Sequence, residues 1–437
     1  MKKVALHNLG CKVNTYETDA MRQSFMEHGY EIVPFEKGAD IYIINTCTVT
    51  NIADRKSRQM LHKAKKMNPE AIVVAAGCYV QAAGEEILKD EAIDLVIGNN
   101  NKSRVVEIVE KYIDDRNNNF VINDLLHESE YEDMNMTTVT EHTRAFIKIQ
   151  DGCNQFCTYC IIPYARGRIR SRELSDIQRE IGELANAGYK EIVLTGIHLS
   201  SYGKDMKDKG ISLIDAIKAV ADIEGVERVR LGSLEPMIIS DEFLSQLKEI
   251  KEFCPHFHLS LQSGCETTLK RMNRHYTPDE YYARCVLIRD YFPKAAITTD
   301  VIVGFPGETE EEFEESRKFL EKVNFSEMHI FKYSKRKGTP AARMENQVDD
   351  TIKAKRSDIL IALNDKQNKE YKQSFLGTAE DVLFEEVVSI DGNELLVGYT
   401  REYVKVGISA TNVENIVGKI ETVTIVDDKG EILLARK

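Results

Sequence analysis

The sequence predicts an α/β protein in three parts: an N-terminal parallel α/β domain (residues 1–113), a central partial (β/α)6 barrel (143–370) reached through a linker (114–142), and a small C-terminal β-barrel (371–437). Three observations predict it. Short apolar runs alternate with amphipathic stretches to about residue 113, and again from Ala145 to about Arg343, as helices laid over a parallel sheet require. Between these stretches the chain is polar, acidic and Asn/Thr-rich. From about Tyr371 the rhythm shortens to strands parted by turns such as Asp427-Asp428-Lys429-Gly430, the signature of a small barrel. With 437 residues, 42% hydrophobic and 30% charged, the chain can build two to four cores, which excludes a disordered tail or a fibre.

In the first part the strands are Val4–Asn8, Ile41–Asn45, Ile72–Ala76 and Leu95–Ile97, and the helices Tyr16–His28, Ala53–Met67, Gly84–Lys89 and Ser103–Tyr112. Cys11 follows the first strand, Cys47 the second and Cys78 the third. Loops leaving the carboxyl ends of parallel strands share one edge, where ligands bind, so three cysteines distant in sequence converge there. The alternative is three buried thiols, since cysteine is among the most buried residue types.

The barrel strands are Ala145–Gln150, Glu191–Thr195, Arg228–Leu231, His256–Leu261, Ala296–Val303 and Ser326–Phe331, with helices such as Ser175–Ala187, Pro278–Tyr291 and Thr309–Lys322 between them. Barrel chemistry sits at strand carboxyl ends. Just after the first strand comes Cys153-x-x-x-Cys157-x-x-Cys160, three thiolates within eight residues, and the next cysteine is Cys254. Three thiolates can hold three corners of a [4Fe-4S] cluster and leave the fourth iron open. Structural zinc would want a fourth ligand nearby; zinc or buried thiols are the alternatives. The later strands end in Thr195-Gly196-Ile197-His198, Ser233-Leu234-Glu235-Pro236, Gln262-Ser263-Gly264 and Gly304–Glu308, polar groups that a plain barrel does not need. His198, His256, His258 and His329 are expected as satisfied polar groups near the core, and Cys254, Cys265 and Cys285 as buried thiols. The C-terminal strands are Glu380–Val388, Leu395–Tyr399, Val404–Ile408, Lys419–Val426 and Ile432–Ala435.

A net charge of −13 argues against indiscriminate nucleic-acid binding, but local charge is basic. Arg166, Arg168, Arg170 and Arg172 alternate beside the cysteine motif and are expected to meet a phosphate or carboxylate. Lys332, Lys335, Arg336, Lys337 and Arg343 form a second group. Arg55, Lys56, Arg58, Lys63, Lys65 and Lys66 form a third, on a helix whose face is either solvated or turned to nucleic acid. The N-terminal residues hold no signal-peptide pattern, and no run approaches the roughly 18 apolar residues of a membrane span. A cytoplasmic setting without membrane follows, where thiols stay reduced.

The string Asp151-Gly-Cys-Asn-Gln-Phe-Cys-Thr-Tyr-Cys-Ile-Ile-Pro-Tyr-Ala-Arg-Gly resembles the signature of the radical S-adenosylmethionine (SAM) methylthiotransferases. Asn8-Leu-Gly-Cys11-Lys-Val-Asn-Thr-Tyr-Glu, Asn45-Thr-Cys47 and Gly77-Cys78-Tyr-Val-Gln are similar to that family's N-terminal domain. The tail is similar to a TRAM domain, an RNA-binding module, although acidic residues outnumber basic ones, which leaves contacts to a few residues such as Arg401, Tyr403 and Lys405. The resemblance implies two [4Fe-4S] clusters, one on Cys153, Cys157 and Cys160 that splits SAM to a 5′-deoxyadenosyl radical, and one on Cys11, Cys47 and Cys78 that carries or supplies sulfur. It implies two SAM molecules per product, SAM contacts from Thr195, Gly196, Glu235, Gln262 and Arg166, and a reductant such as flavodoxin or ferredoxin. The sulfur donor stays open. The substrate it implies is the adenosine at position 37 of the tRNA anticodon stem-loop. Thr195-Gly-Ile-His-Leu-Ser-Ser-Tyr-Gly203 and Ile161–Gly167 look closer to the threonylcarbamoyladenosine branch, whose carboxylate also suits the arginine row. Isopentenyladenosine and a ribosomal-protein aspartate follow as alternatives, and a non-catalytic iron–sulfur RNA-binding protein comes last.

Overall fold

The computed structural model describes residues 2–137, 143–390, 392–410 and 416–437. The first part runs β1 (Lys3–Asn8), α1 (Lys12–Glu27), β2 (Glu31–Ile32), β3 (Ile41–Thr46), α2 (Asn51–Met67), β4 (Ile72–Gly77), α3 (Cys78–Ala83), β5 (Leu95–Ile97), α4 (Val105–Asp114) and β6 (Phe120–Val121). Its strands pair in parallel in the order β2-β1-β3-β4-β5-β6. Every residue of β3 and β4 is buried, because helices cover both faces; that is why these strands read as unbroken apolar runs rather than as alternation.

The segment expected as a linker departs from that reading. Phe120–Val121 adds the sixth strand, and Met134 and Met136 are buried in the main core, with the Tyr16 hydroxyl bonded to the Met134 carbonyl. Its polar composition hid a few apolar anchors among solvated neighbours. Residues 138–142 lie outside the described residues.

The second part runs β7 (Arg144–Asp151), α5 (Ile162–Arg166), β8 (Arg170–Ser171), α6 (Leu174–Asn186), β9 (Glu191–Gly196), α7 (Leu213–Ala221), β10 (Arg228–Leu231), β11 (Ser233–Leu234), α8 (Asp241–Lys248), β12 (His256–Leu259), α9 (Glu266–Arg271), α10 (Pro278–Tyr291), β13 (Ala296–Val303), α11 (Glu310–Val323) and β14 (Glu327–Lys332). β10 pairs with β9, and β11, one residue further on, pairs with β12. Gly232 therefore joins two four-stranded sheets into one path of six parallel strands, β7 to β14 in sequence order, with β8 antiparallel at the outer edge of β7. α10 and α11 start on capping boxes, Thr277 with Glu280 and Thr309 with Glu312.

The long helix α12 (Asp350–Gln373) then leads to β15 (Ala379–Ile390), β16 (Asn393–Tyr399), β17 (Lys405–Ser409), β18 (Ile420–Asp428) and β19 (Leu433–Arg436), which close as β15-β16-β17-β19-β18. α12 escaped the sequence reading because its apolar residues are sparse among many charges. The closed barrel docks under the six-stranded one through backbone carbonyls: Arg228 donates to Tyr399 and Asp381 at 2.9 and 2.7 Å, and Arg230 to Arg401 at 2.8 Å. One apolar core runs from the first sheet through α1 into the six-stranded barrel. No helix of the described residues is long and apolar enough to cross a membrane.

Candidate active site

Strand order β2-β1-β3 places a topological switch point between β1 and β3, where open α/β sheets bind ligands. Cys11 caps α1 just past β1, Cys47 directly follows β3, and Cys78 opens α3 directly after β4. Gly10 brings the first two loops together. Its φ of +110° suits glycine, and a Cβ there would stand 2.9 Å from the Cys47 Cβ and 3.0 Å from its Sγ. Cys78 Sγ accepts from Arg166 Nε at 3.2 Å and from Asn99 Nδ2 at 3.5 Å.

The barrel cysteines lie on a loop clamped from the segment after α9. Thr158 donates through its amide to the Met272 carbonyl (3.0 Å) and through Oγ1 to the Arg271 carbonyl (2.8 Å), while Asn273 Nδ2 reaches the carbonyls of Gln155 and Phe156. Arg274 Nη1 donates to Cys157 Sγ at 3.3 Å, and the same guanidinium pairs with Glu235 and the Ser260 carbonyl. The Gln155 amide points at Cys153 Sγ, 3.4 Å away. Phe156, Gln262 and Asn273 all take positive φ, strain held by this packing around the loop. Sequence reasoning missed Arg274 and Asn273, since nothing in their spacing ties them to a motif over 110 residues away.

Burial pushes the Cys153 thiol up to about 11 and the Cys160 thiol to about 12; it likewise carries Cys47 to about 11 and raises Cys11. Such thiols ionise on binding a metal centre. Neither triad is drawn up as tightly as a single zinc ion would hold it. Around one zinc the Zn–S bond of about 2.3 Å would draw the sulfurs within roughly 4 Å of each other. Among the described residues the only His, Cys, Asp or Glu group with ligand atoms all within 4.8 Å of one another is His258, Asp300 and His329, so neither cysteine triad is that tight.

A cavity of about 1050 Å³ joins these features. Cys11 lines it from the first domain, and Cys153, Cys157 and Cys160 from the barrel loop, with Thr195, Gly196, Glu235 and Gln262 on the same wall. His258, Asp300 and His329 line it from adjacent strands, and His198 and His256 line it too; the His258 and His329 imidazoles stack at 5.8 Å, and His258 Nδ1 meets Thr298 Oγ1 at 2.9 Å. Lys12 lines it too, and burial, then Arg230 and Arg144, push its ammonium down to about 8. Cys254, Cys265 and Cys285 are buried.

The arginine row does not face this cavity. Arg166, Arg170 and Arg172 are at most 1% exposed, and only Arg168 reaches solvent, its guanidinium over the Phe156 ring. Arg166 bonds Glu17 (2.6 Å), Asp151 (3.1 Å) and Asn14 (2.6 Å), so it serves the seam at Cys78 rather than a SAM contact in the barrel. Arg172 pairs with Glu180 and with Asp133 at 2.8 Å. The period of two does not mark one face: Arg166 ends α5, and of the four only Arg170 lies on the two-residue edge strand β8. Arg401 and Tyr403 meet the six-stranded barrel: Arg401 donates to the Phe253 carbonyl at 2.7 Å, and the Tyr403 ring lies 5.2 Å from that of His256, at the cavity wall.

An open partial barrel with a three-thiol loop at its mouth, beside a sheet edge that carries three more thiols, defines a barrel enzyme with thiol ligands for a metal centre. Residues 147–320 match the radical SAM superfamily, and residues 3–98 the model described as uncharacterized protein family UPF0004. The chain is 44% identical over 97% of its length to the threonylcarbamoyladenosine tRNA methylthiotransferase MtaB of Bacillus subtilis (strain 168), covering 94% of that protein. It is 35% identical over 98% of its length to a tRNA-2-methylthio-N(6)-dimethylallyladenosine synthase of Alkaliphilus oremlandii (strain OhILAs), covering 90%. Among solved structures, the radical SAM methyltransferase TsrM of Kitasatospora setae, with cobalamin and a [4Fe-4S] cluster bound, shares the fold at TM-score 0.59 and 15% identity, over 78% of this chain and 77% of that one. The chain belongs to the radical SAM methylthiotransferase family.

Proposed function

We propose that this protein adds a methylthio group to C2 of N6-threonylcarbamoyladenosine 37 in tRNA. The observation that carries the reading is the single cavity that Cys11 enters from one domain and Cys153, Cys157 and Cys160 from the other. A three-thiol loop and a second three-thiol set that reaches the same space through Cys11 suit a reaction that must activate an inert C–H bond and then deliver sulfur to it. In this reading each triad holds a [4Fe-4S] cluster, which supplies radical initiation in the barrel and sulfur at the sheet edge.

The chain's own groups do the positioning. Arg274 bridges Cys157 to Glu235, which ties the thiol loop to the wall proposed to hold SAM. Gln262 is fixed by backbone bonds to Asp300 and Ile302, leaving its side chain free to turn into the cavity. Thr195 and Gly196 close the same wall, and Gln150 holds the His198 amide beside them at 2.7 Å. Enclosure by three domains keeps reacting groups close and water out.

The tRNA would approach across the rim, where α2 and the 332–343 segment meet. Arg336 fastens them, pairing with Asp54 at 2.7 Å and bonding Thr48 and Asn51, while Arg55, Lys56, Arg58, Lys332, Lys335 and Lys337 remain exposed. A phosphate backbone would meet this stripe despite the net negative charge. An external reductant such as flavodoxin or ferredoxin and a cytoplasmic setting, where six ligand thiols stay reduced, complete the proposal.

The test is mass analysis of tRNA nucleosides from cells lacking the gene. Loss of 2-methylthio-N6-threonylcarbamoyladenosine alone is the expected result; loss of the methylthio-isopentenyl nucleoside instead would move the protein to the alternative substrate.

A further inference from the structure

Almost every buried cation near the cavity has its own carboxylate. Arg274 is matched by Glu235, Arg144 by Glu385 at 2.6 Å, and Arg230 and Arg228 by Glu191 at 2.7 and 3.5 Å. Lys12 is different. It lines the cavity, yet among the described residues its ammonium meets no carboxylate and no hydrogen-bond acceptor; it stands over the rings of Phe146 and Tyr403, each ring centre 6.0 Å away. Lys332 and Lys405 also line the cavity, but Lys12 alone directly follows a triad cysteine, as the first residue of α1 after Cys11.

Its surroundings carry surplus positive charge. Lys12, Arg144, Arg228 and Arg230 face Glu191 and Glu385, and Glu402, whose carboxyl burial pushes above the usual carboxylate range, is the third acid nearby. Of the other acids that line the cavity, Glu235 pairs with Arg274 and Asp300 meets His258 at 3.4 Å, while Glu327 and Glu431 lie elsewhere on its wall. A half-buried ammonium held without a counter-ion is costly, and the cost is recovered when an anion arrives from outside.

We propose that Lys12 receives the free carboxylate of the threonylcarbamoyl group and so sets the preference for an adenine bearing an amino acid; this rests on the substrate reading given above. The ring carries C2 and the N6 substituent together, so a base presented with C2 toward the Cys11 loop keeps its carboxylate within reach of that loop's next residue. Tyr403 and Phe146 supply the apolar flanks that keep the ion pair dry, which strengthens it. A neutral isopentenyl group would leave Lys12 unanswered, which is how the residue discriminates.

The experiment uses cluster-loaded, full-length protein without reductant, so that binding is read and not turnover. Three anticodon stem-loop RNAs differ only at residue 37: unmodified adenosine, threonylcarbamoyladenosine, and its carboxamide analogue with the carboxylate neutralised. Wild type should prefer the carboxylate over the carboxamide by roughly ten- to a hundred-fold, the usual worth of a charged hydrogen bond. Lys12→Met should abolish that preference and keep both its iron content and its affinity for unmodified RNA; Lys12→Arg should keep part of the preference. A Lys12→Met protein that discriminates as wild type does would overturn the proposal, as would loss of discrimination in His258→Gln/His329→Gln with Lys12 intact. Wild type that prefers threonylcarbamoyladenosine but binds its carboxamide equally well defeats the carboxylate step alone. Wild type with no preference for threonylcarbamoyladenosine over adenosine, together with turnover of isopentenylated RNA, defeats the substrate reading itself.

Discussion

Glu17→Gln tests whether charge fixes the two halves of the active site against each other. The Glu17 side chain is 1% exposed and meets three cations: Lys148 at 3.1 Å, Arg166 at 2.6 and 3.0 Å, and Lys102. Asp151 is the other acid of this buried set, and Arg170 stands 3.9 Å from it, so the count is four positive to two negative. The amide is isosteric but removes one negative charge, which leaves three uncompensated cations in the seam between α1 and β7. Breaking a buried pair in this way costs about 3–5 kcal/mol. The assay is hydrogen exchange of the α1 amides, where that loss should appear as protection lowered roughly a hundred- to a few-thousand-fold.

The pH dependence gives a second check. Burial alone would raise the Glu17 carboxyl, but Arg166, Lys102 and Lys148 hold it well below the usual carboxylate range. A depressed folded value means the stabilisation is complete above the unfolded value, about 4.3, and is lost as pH falls through the folded one. The gap between wild type and variant must therefore narrow on acidification and stay open toward alkaline pH. Glu107→Gln, which breaks an exposed pair on α4, should change nothing. A Glu17→Gln protein protected as wild type is, or a gap that ignores acid, would refute the electrostatic account of the seam.

Three further outcomes follow from the site. Anaerobically reconstituted protein should hold about eight irons per chain, halved when Cys153, Cys157 and Cys160 are replaced together; a wild-type count near four with Cys11, Cys47 and Cys78 dispensable would remove the second cluster. Replacing Cys11, Cys47 and Cys78 by Ala should leave 5′-deoxyadenosine formation measurable and end thiomethylation, whereas SAM cleavage that survives loss of Cys157 would reverse the roles. Arg168→Ala should weaken all tRNAs alike and lower the salt slope of binding by about one, while Arg170→Ala and Arg172→Ala should show up first as lost stability; an unchanged slope in Arg168→Ala would take that residue out of the phosphate contacts.

The cysteines were legible because their logic is local or topological: three in eight residues for one set, and three strand ends sharing an edge for the other. The place of Thr195, Gly196, Glu235 and Gln262 at the cavity wall was legible for the same reason, since each lies where a strand stops. The arginine row misled because a period of two beside a reactive motif reads alike whether it faces a ligand or a neighbouring domain. Only the fold shows that Glu17, from a helix nearly 150 residues earlier, claims Arg166. Arg274 and Lys12 were out of reach for a related cause. One is defined by what it touches, Cys157 and Glu235, and the other by what it does not touch.

Why a fold should bury Glu17, Lys102, Lys148, Asp151 and Arg166 together is a question about geometry more than stability. Apolar residues of similar volume fill such a seam at equal or lower free energy, so the ions are a poor choice if adhesion were all that mattered. Apolar contact, however, tolerates sliding, while a guanidinium that must satisfy Glu17, Asp151, Asn14 and Cys78 at once has one position. Arg166 lies six residues after Cys160 and touches Cys78, so the register it fixes is the one between the two thiol sets. Reacting groups have to come within about 3–3.5 Å in the right orientation, and a displacement of about 1 Å can cost a hundredfold in rate. A seam that cannot slide keeps the thiol loop of the barrel and the thiol edge of the sheet in one arrangement across the cavity.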